Sequence, residues 1–449
     1  MKQFRSTLIL LIVAIVFGGY LYWRERGPAA EAGNTVLLRT DPDAVTQVKI
    51  SQPNSALTLI QKNGNWQVQN EQKKVPADAD SVKTLLDKLQ LVQSGAIVNS
   101  PGKLSEYGLE GSQNSIAVNN ARLIFGDSPS FDNSKVYVQV KDGGKSTIAL
   151  LPVDLRDDAL KTFANWRDKA VLRFDDTKVT QLQIVAPRIT ATFSSQKKKD
   201  ETAWKIAAPI SAKATSSTVQ SFLTSLKNAQ TTNFLDDAAK DLRQWKLDKP
   251  QATVKVTTPD GIDVLKIGKA VSGGYAAQNS LSKSVFVLPT VTYDLINRAL
   301  SEWRDKDILA LDAAKVTQMK ISARGKNITL NLSGSNWIAS NVKLDKATVS
   351  NAASDMFVGL QGLQAKDFID APKSDDTYGL NKPALEVALT SSQWQGIRTI
   401  QLATHEGKYY ARLQGAGVRG KTVYVLPDQA LDAFSGALDH LLGKAKKAS

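Results

Sequence analysis

The sequence predicts an α+β protein in which an N-terminal transmembrane helix precedes three tandem homologous modules built on antiparallel sheets. Three observations predict it. Leu151-Pro152, Leu288-Pro289 and Leu426-Pro427 recur 137 and then 138 residues apart, each closing a strand-like run and opening a helix-like one. Val45-Thr46-Gln47-Val48-Lys49-Ile50 returns as Val179-Thr180-Gln181-Leu182-Gln183-Ile184 and as Val316-Thr317-Gln318-Met319-Lys320-Ile321, while Trp66 reappears as Trp204 and Trp337. Residues 8–23 are apolar or small throughout.

That N-terminal run has sixteen residues, just enough to span a hydrocarbon core at about 1.5 Å rise per residue. Its far end, Tyr20-Leu21-Tyr22-Trp23, suits a membrane–water interface. Lys2 and Arg5 favour a cytoplasmic N-terminus, although Arg24 and Arg26 blunt the asymmetry. The alternative is a cleaved signal peptide, because Ala30-Glu31-Ala32 has a small-x-small form some distance beyond the run. The chain is thereby divided into an anchor (residues 1–26), a juxtamembrane linker (27–40) and modules at 41–174, 175–311 and 312–449, the last with a basic tail.

Within each module the same signals follow in order. Val48 and Ile50 alternate with polar neighbours, as a half-buried strand requires. Leu57-Thr58-Leu59-Ile60, Asn63-Gly64 and Trp66-Gln67-Val68 read as a hairpin, because Asn-Gly tolerates the positive φ of a tight turn. Ile328-Thr329-Leu330, Ser333-Gly334 and Trp337-Ile338 repeat it. Trp66, Trp204 and Trp337 are expected to be core residues of the repeat. A helix comes next, announced by capping residues at 78–81, 215–217 and 346–348. Val82, Leu85, Leu86 and Leu89 share one face of it, as do Val219, Phe222, Leu223 and Leu226. Val349, Ala352, Ala353 and Met356 keep the spacing with mostly smaller side chains.

The turn Tyr107-Gly108-Leu109 recurs as Trp245-Lys246-Leu247 and Tyr378-Gly379-Leu380, followed by short strands. A final helix is expected over residues 153–172, carrying Trp166-Arg167-Asp168-Lys169; its counterpart carries Trp303-Arg304-Asp305-Lys306, and the third copy lacks this signature. With no fourth module to follow, the simplest expectation is that Trp166 and Trp303 pack at module junctions. Arg167, Asp168, Arg304 and Asp305 then supply interfacial hydrogen bonds.

An apolar content of 42% with 22% charged residues is that of a folded chain. Zero cysteines exclude disulfides, thiolate metal sites and a cysteine nucleophile. The net charge is +14, and +11 without the anchor region, which admits anionic lipid or glycan as a ligand. Nucleic acid is not expected, since the basic residues are spread and not interleaved with exposed aromatics. Gly415-Ala416-Gly417-Val418-Arg419-Gly420 matches a dinucleotide fingerprint but sits between two strand-like runs, which makes it a hairpin turn. Gly144-Lys145-Ser146 lacks the earlier glycine of a phosphate loop. His405 and His440 occur only in the third copy, and Asp236-Asp237 and Asp375-Asp376 read as capping acids. No catalytic residue, cofactor or metal site is expected, and the chain reads as non-enzymatic.

The order of hairpin Trp, Tyr-Gly-Leu turn, Leu-Pro strand end and Trp-Arg-Asp-Lys segment, behind an N-terminal apolar run, resembles a bacterial family classed as a domain of unknown function. The resemblance implies a membrane-anchored, tandem-repeat protein linked to an ABC-2-type permease, its ATPase and a gliding-motility-like auxiliary protein. It further implies a single pass through the inner membrane, with the N-terminus cytoplasmic and the bulk of the chain periplasmic. It implies partners and carries no catalytic residues. The alternative is a periplasmic protein that binds or bridges anionic lipid or glycan.

Overall fold

A computed structural model describes residues 33–99, 102–198, 201–418 and 420–442. The first module places β2 (Gln47–Gln52), β3 (Ser55–Lys62), β4 (Asn65–Gln69) and β5 (Lys74–Pro76) in one antiparallel sheet with β7 (Ser115–Val118), β8 (Ala121–Phe125), β9 (Lys135–Asp142) and β10 (Lys145–Pro152), ordered β10-β9-β8-β7-β2-β3-β4-β5. β1 (Thr35–Arg39) and β6 (Leu91–Ser94) pair separately. The second has nine strands ordered β14-β13-β12-β11-β16-β17-β18-β19-β15. These are β11 (Gln181–Ala186), β12 (Ile189–Lys198), β13 (Glu201–Ala208), β14 (Ala212–Lys213), β15 (Phe234–Asp236), β16 (Ala252–Thr258), β17 (Gly261–Val271), β18 (Gly274–Asn279) and β19 (Val285–Pro289). In the third, β20 (Val316–Ala323), β21 (Lys326–Ser333), β22 (Asn336–Ala339), β23 (Asp367–Ile369), β24 (Leu385–Ser391), β25 (Gly396–His405), β26 (Lys408–Gly415) and β27 (Val423–Val425) are ordered β22-β21-β20-β24-β25-β26-β27-β23.

Local chemistry accounts for these elements. Asn63 (φ 51°) and Gly64 (φ 78°) make the left-handed turn between β3 and β4. The helix Ala79–Gln90 starts where the Asp78 carboxylate accepts the Ser81 N–H at 2.7 Å, and Lys346–Gln361 starts where Asp345 accepts that of Thr348 at 2.9 Å. Thr215 holds the N-cap position of the helix Ser216–Lys227 without a side-chain cap, its carbonyl accepting the Val219 N–H at 3.2 Å. Each helix lays its apolar stripe on its own sheet: Val82, Leu85, Leu86 and Leu89, then Val219, Phe222, Leu223 and Leu226, then Val349, Ala352, Ala353 and Met356 are all buried. Three large apolar cores result, one per sheet. Val171 and Leu172 belong to the second core and Ile308 and Leu309 to the third, so each core is entered just after a Trp-Arg-Asp segment. By contact density the chain forms two compact units, residues 1–170 with 230–232, and residues 171–229 with 233–449.

The architecture corrects three expectations. The class is mostly antiparallel β, in four sheets, in place of an α+β fold behind a transmembrane helix. Among the described residues no helix is long and apolar enough to cross a membrane, and the expected single-pass inner-membrane placement finds no helix there to carry it. The longest of them, Lys346–Gln361, has 16 residues and reaches only about 24 Å against a core of about 30 Å. Residues 8–23, where the sequence predicts the anchor, lie outside the described residues. Finally, the helix expected over 153–172 is two short pieces, Val153–Ala159 and Phe163–Trp166, after which Arg167 turns extended (φ −71°, ψ 138°). Sheet pairing takes the backbone that a longer helix would have used.

The three Tyr-Gly-Leu-type turns share a left-handed residue, and the first two also share a close contact. Gly108 (φ 66°), Lys246 (φ 54°) and Gly379 (φ 68°) occupy the same left-handed position, and Leu109, Leu247 and Leu380 are buried beside them. A Cβ on Gly126 would stand 2.1 Å from the Tyr107 carbonyl oxygen, and one on Gly268 2.0 Å from that of Trp245. Since the obstacle is backbone, Gly268→Ala is expected to destabilise the second unit by about 1–3 kcal/mol. An unchanged urea midpoint for that variant would refute the contact.

Candidate functional site

The Trp-Arg-Asp-Lys segments are the part of the repeat with the most distinctive geometry. In the first unit the Asp78 N–H donates to the Trp166 carbonyl at 2.8 Å and the Asp168 N–H to that of Pro76 at 2.9 Å, so that Arg167 bridges Ala77. In the second unit Thr215 N–H donates to Trp303 O at 2.9 Å and Asp305 N–H to Lys213 O at 3.1 Å, with Arg304 bridging Ala214. The Thr215 hydroxyl adds a bond to the Arg304 carbonyl at 2.9 Å. Each segment thus makes a one-residue antiparallel bridge, with a hydrogen bond on either side, at the end of its sheet's outermost short strand and just before a helix N-cap. The cap residue serves both elements, because its backbone N–H is free to bind the strap.

The strap then continues along different backbone. Thr231 N–H donates to Lys169 O at 2.8 Å and Ala170 bridges Gln230. Correspondingly, Ala365 N–H donates to Lys306 O at 2.8 Å and Asp307 bridges Gln364. At this second position the strap therefore bonds first to the second module, at 213–215, and next to the third, at 363–365. Beside it an open depression is lined by Asp307, Leu309, Asp312, Gln361 and Gln393.

The side chains divide the labour. Trp166 is fully buried in the first core, and Trp303 in the second, between Phe193 and Phe222 at 5.1 and 5.0 Å between ring centroids. Neither indole N–H has an acceptor among the described residues, so both act through apolar burial. Arg304 reaches the third module: its Nη1 lies 3.0 and 2.8 Å from the two Asp370 carboxylate oxygens, and its guanidinium 3.7 Å from the Phe368 ring centroid. The Thr422 hydroxyl donates to Asp370 at 3.0 Å, and the Phe368 ring meets that of Tyr424 at 5.9 Å. Burial pushes the Tyr424 hydroxyl pKa up, with the Arg304 charge opposing the rise. With 9% of its side chain exposed, Arg304 holds a charge that needs such a partner. Arg167 is likewise buried, Asp168 accepts the Ala170 N–H at 2.9 Å, and Asp305 accepts that of Asp307 at 3.1 Å.

Asp370, Phe368 and Tyr424 were not singled out by sequence reasoning, which aligned Asp375-Asp376 with Asp236-Asp237. The sheets show the better match: Phe234-Leu235-Asp236 on β15 and Phe368-Ile369 on β23, followed by Asp370, each form the last strand of their sheet. That Phe-apolar-Asp recurrence was the available signal. Asp375 instead pairs with Arg412, whose hydrogen bond holds its carboxyl below the usual range.

The remaining sequence candidates are scattered. Trp204 is buried, whereas Trp66 and Trp337 are half-buried against their cores, Trp337 at 5.6 Å from Phe357. Gly144-Lys145-Ser146 closes the hairpin of β9 and β10, and the Gly415 to Gly420 turn joins β26 to β27, with Arg419 outside the described residues. His405 ends β25 and His440 lies on the helix Ser435–Leu442. Among the described residues no group of His, Asp and Glu could hold a metal.

Comparison with known proteins gives a family model described as a domain of unknown function (DUF4340), matching residues 66–203 and again 204–383. The two matches begin at Trp66 and Trp204, the hairpin tryptophans. No curated protein matches the chain. Among solved structures, the DNA polymerase sliding clamp from Pseudomonas aeruginosa with ligand is 9% identical over 88% of this chain and 94% of the clamp, at a TM-score of 0.14; so low a score carries no argument.

Two substitutions test the strap. Trp303→Ala is expected to cost about 3–5 kcal/mol, the usual range for deleting a buried large aromatic, read from urea unfolding of the full chain. A double-mutant cycle of Arg304→Ala and Asp370→Ala should give a coupling of about 1–3 kcal/mol. Additive single effects would remove Arg304 as the tie between the second and third modules.

Proposed function

We propose, for a chain that belongs to the family described as a domain of unknown function (DUF4340), a non-enzymatic role as a scaffold or accessory subunit of an ABC-2-type, gliding-motility-like transporter assembly. The observation that supports it is the strap. Of the side chains and backbone positions that recur between modules, those of the Trp-Arg-Asp segment tie elements together, and Arg304 with Asp370 fixes the second module to the third. A protein that uses a repeated residue to hold its second and third modules in register is suited to presenting the surfaces of those modules at a set spacing to other proteins. The permease, ATPase and auxiliary subunits of such a transporter are the proposed partners, on the family resemblance of the repeat.

A second reading, binding of an anionic lipid or glycan, is favoured by Arg398. Its guanidinium lies 4.5 Å from the Trp394 ring centroid and its Nε donates to the Ala416 carbonyl at 2.8 Å. Among the described residues no carboxylate pairs with it, and burial pushes its pKa down. Held against an aromatic face beside a glycine turn, it presents a positive group to an anion in a chain of net charge +14.

Affinity purification of the tagged full chain in mild detergent tests the first reading, which expects permease and ATPase subunits in near-stoichiometric amounts. Recovery of the chain alone, under conditions that keep the transporter itself intact, would count against it. Arg398→Gln is expected to lower binding to vesicles containing phosphatidylglycerol several-fold if the second reading holds.

A further inference from the structure

The three modules share an edge, and only two of them cover it. The residue before the helix N-cap is Ala77 in the first module, Ala214 in the second and Leu344 in the third. Ala77 and Ala214 are 5% and 6% exposed, each sealed by the strap that bridges it. Leu344 is 36% exposed and belongs to no bridge among the described residues. The cap N–H groups differ in the same way: those of Asp78 and Thr215 donate to Trp166 and Trp303, and that of Asp345 has no backbone acceptor among the described residues. Further out, β4 and β13 are flanked by β5 and β14, whereas β22 ends its sheet. Ile338 on β22, together with Val342 and Leu344 beyond it, places three exposed large apolar side chains within seven residues.

We propose that this edge of the third module, β22 with Val342 and Leu344, is a docking site for an extended segment of a partner protein that adds as a strand. An unpaired edge offers a row of N–H and C=O groups, and strand addition satisfies them while side-chain contacts supply selectivity. The occupant's chemistry is read from the other two copies, where the place beside the residue before the N-cap, equivalent to Leu344, holds an extended strap with a large apolar residue followed by polar ones, Trp-Arg-Asp, while the chain's own β5 and β14 flank the counterparts of β22. A second copy of this chain is a poor source. Its own two straps are already bonded to its own N-caps, and releasing one would strip a fully buried tryptophan from a core. The inference rests on the scaffold reading, for which it names the partner-facing surface.

The test uses the full chain and a fluorescent peptide of its own residues 163–171, Phe-Ala-Asn-Trp-Arg-Asp-Lys-Ala-Val, as the strap probe. Saturable anisotropy is expected, weakened at least ten-fold by Ile338→Asp with Leu344→Asp and unchanged by Val291→Asp, an exposed apolar site elsewhere. Circular dichroism establishes that the variants fold. Absence of saturable binding, or equal binding by the double variant, would overturn the proposal. So would slow amide exchange over 336–345 in the free chain that turns fast on deleting residues 443–449, since the chain's own tail would then be the occupant. Peptide binding is independent of transporter co-purification: a bound probe without co-purified subunits fails the scaffold reading alone, and the reverse result fails the edge alone.

Discussion

A sheet edge leaves a row of backbone groups unpaired within the sheet, and in two modules of this protein some of them are met by a segment that stops being helical at the right residue. Once Trp166 or Trp303 has ended its short helix, the next two residues lie flat against the strand before the following N-cap. Everything else at these positions follows from that. The tryptophan side chain is delivered into the core, the arginine is held nearly buried, and the chain leaves along a second backbone partner. A helix continuing to residue 172 would satisfy its own amides but leave the Ala77 edge open, and one continuing past Trp303 would do the same at Ala214, so the pairing rests on a competition that the sheet wins.

The energetic weight of the strap is distributed unevenly. Burial of each indole supplies most of the stabilisation, because a large aromatic removes extensive apolar area from water, and this outweighs the cost of an N–H left without an acceptor among the described residues. Arg304 contributes less to stability than to specificity: a guanidinium so little exposed is tolerable only where a carboxylate and an aromatic face meet it in fixed positions. Asp370 is in turn held by Thr422, so the register of the second module against the third depends on a short chain of polar contacts on the strand pair β23 and β27. This is how the second and third modules, with separate cores, are tied within one compact unit.

The third module shows what the strap does by lacking it. Its helix Lys346–Gln361 is longer and carries alanines where the second has Phe222 and Leu223, and Phe434 packs against Gly359 so closely that a Cβ there would lie 2.7 Å from the ring. The core is closed by the helix Ser435–Leu442, while the edge is not. Among the described residues, the position before the N-cap is bridged in two copies and unbridged in the third.

Much of this was legible in the chain. The period of the repeat, the Asn-Gly hairpin, the capped helices with their buried stripes and the left-handed turn at Gly108 and Gly379 follow from local rules, because φ preference, capping and alternation act within a few residues. The sequence also singled out Trp166, Arg167, Asp168, Trp303, Arg304 and Asp305 by their presence in two copies and absence from the third. It misjudged their conformation, since a segment rich in helix formers turns extended only when a distant edge offers it better hydrogen bonds. It missed Asp370 and Phe368 because their partner lies 66 residues away from Asp370 along the chain, at a distance that no periodicity encodes. The open edge at β22 was invisible for the same reason: whether a strand has a neighbour is a property of the assembled sheet, decided by which other backbone arrives there.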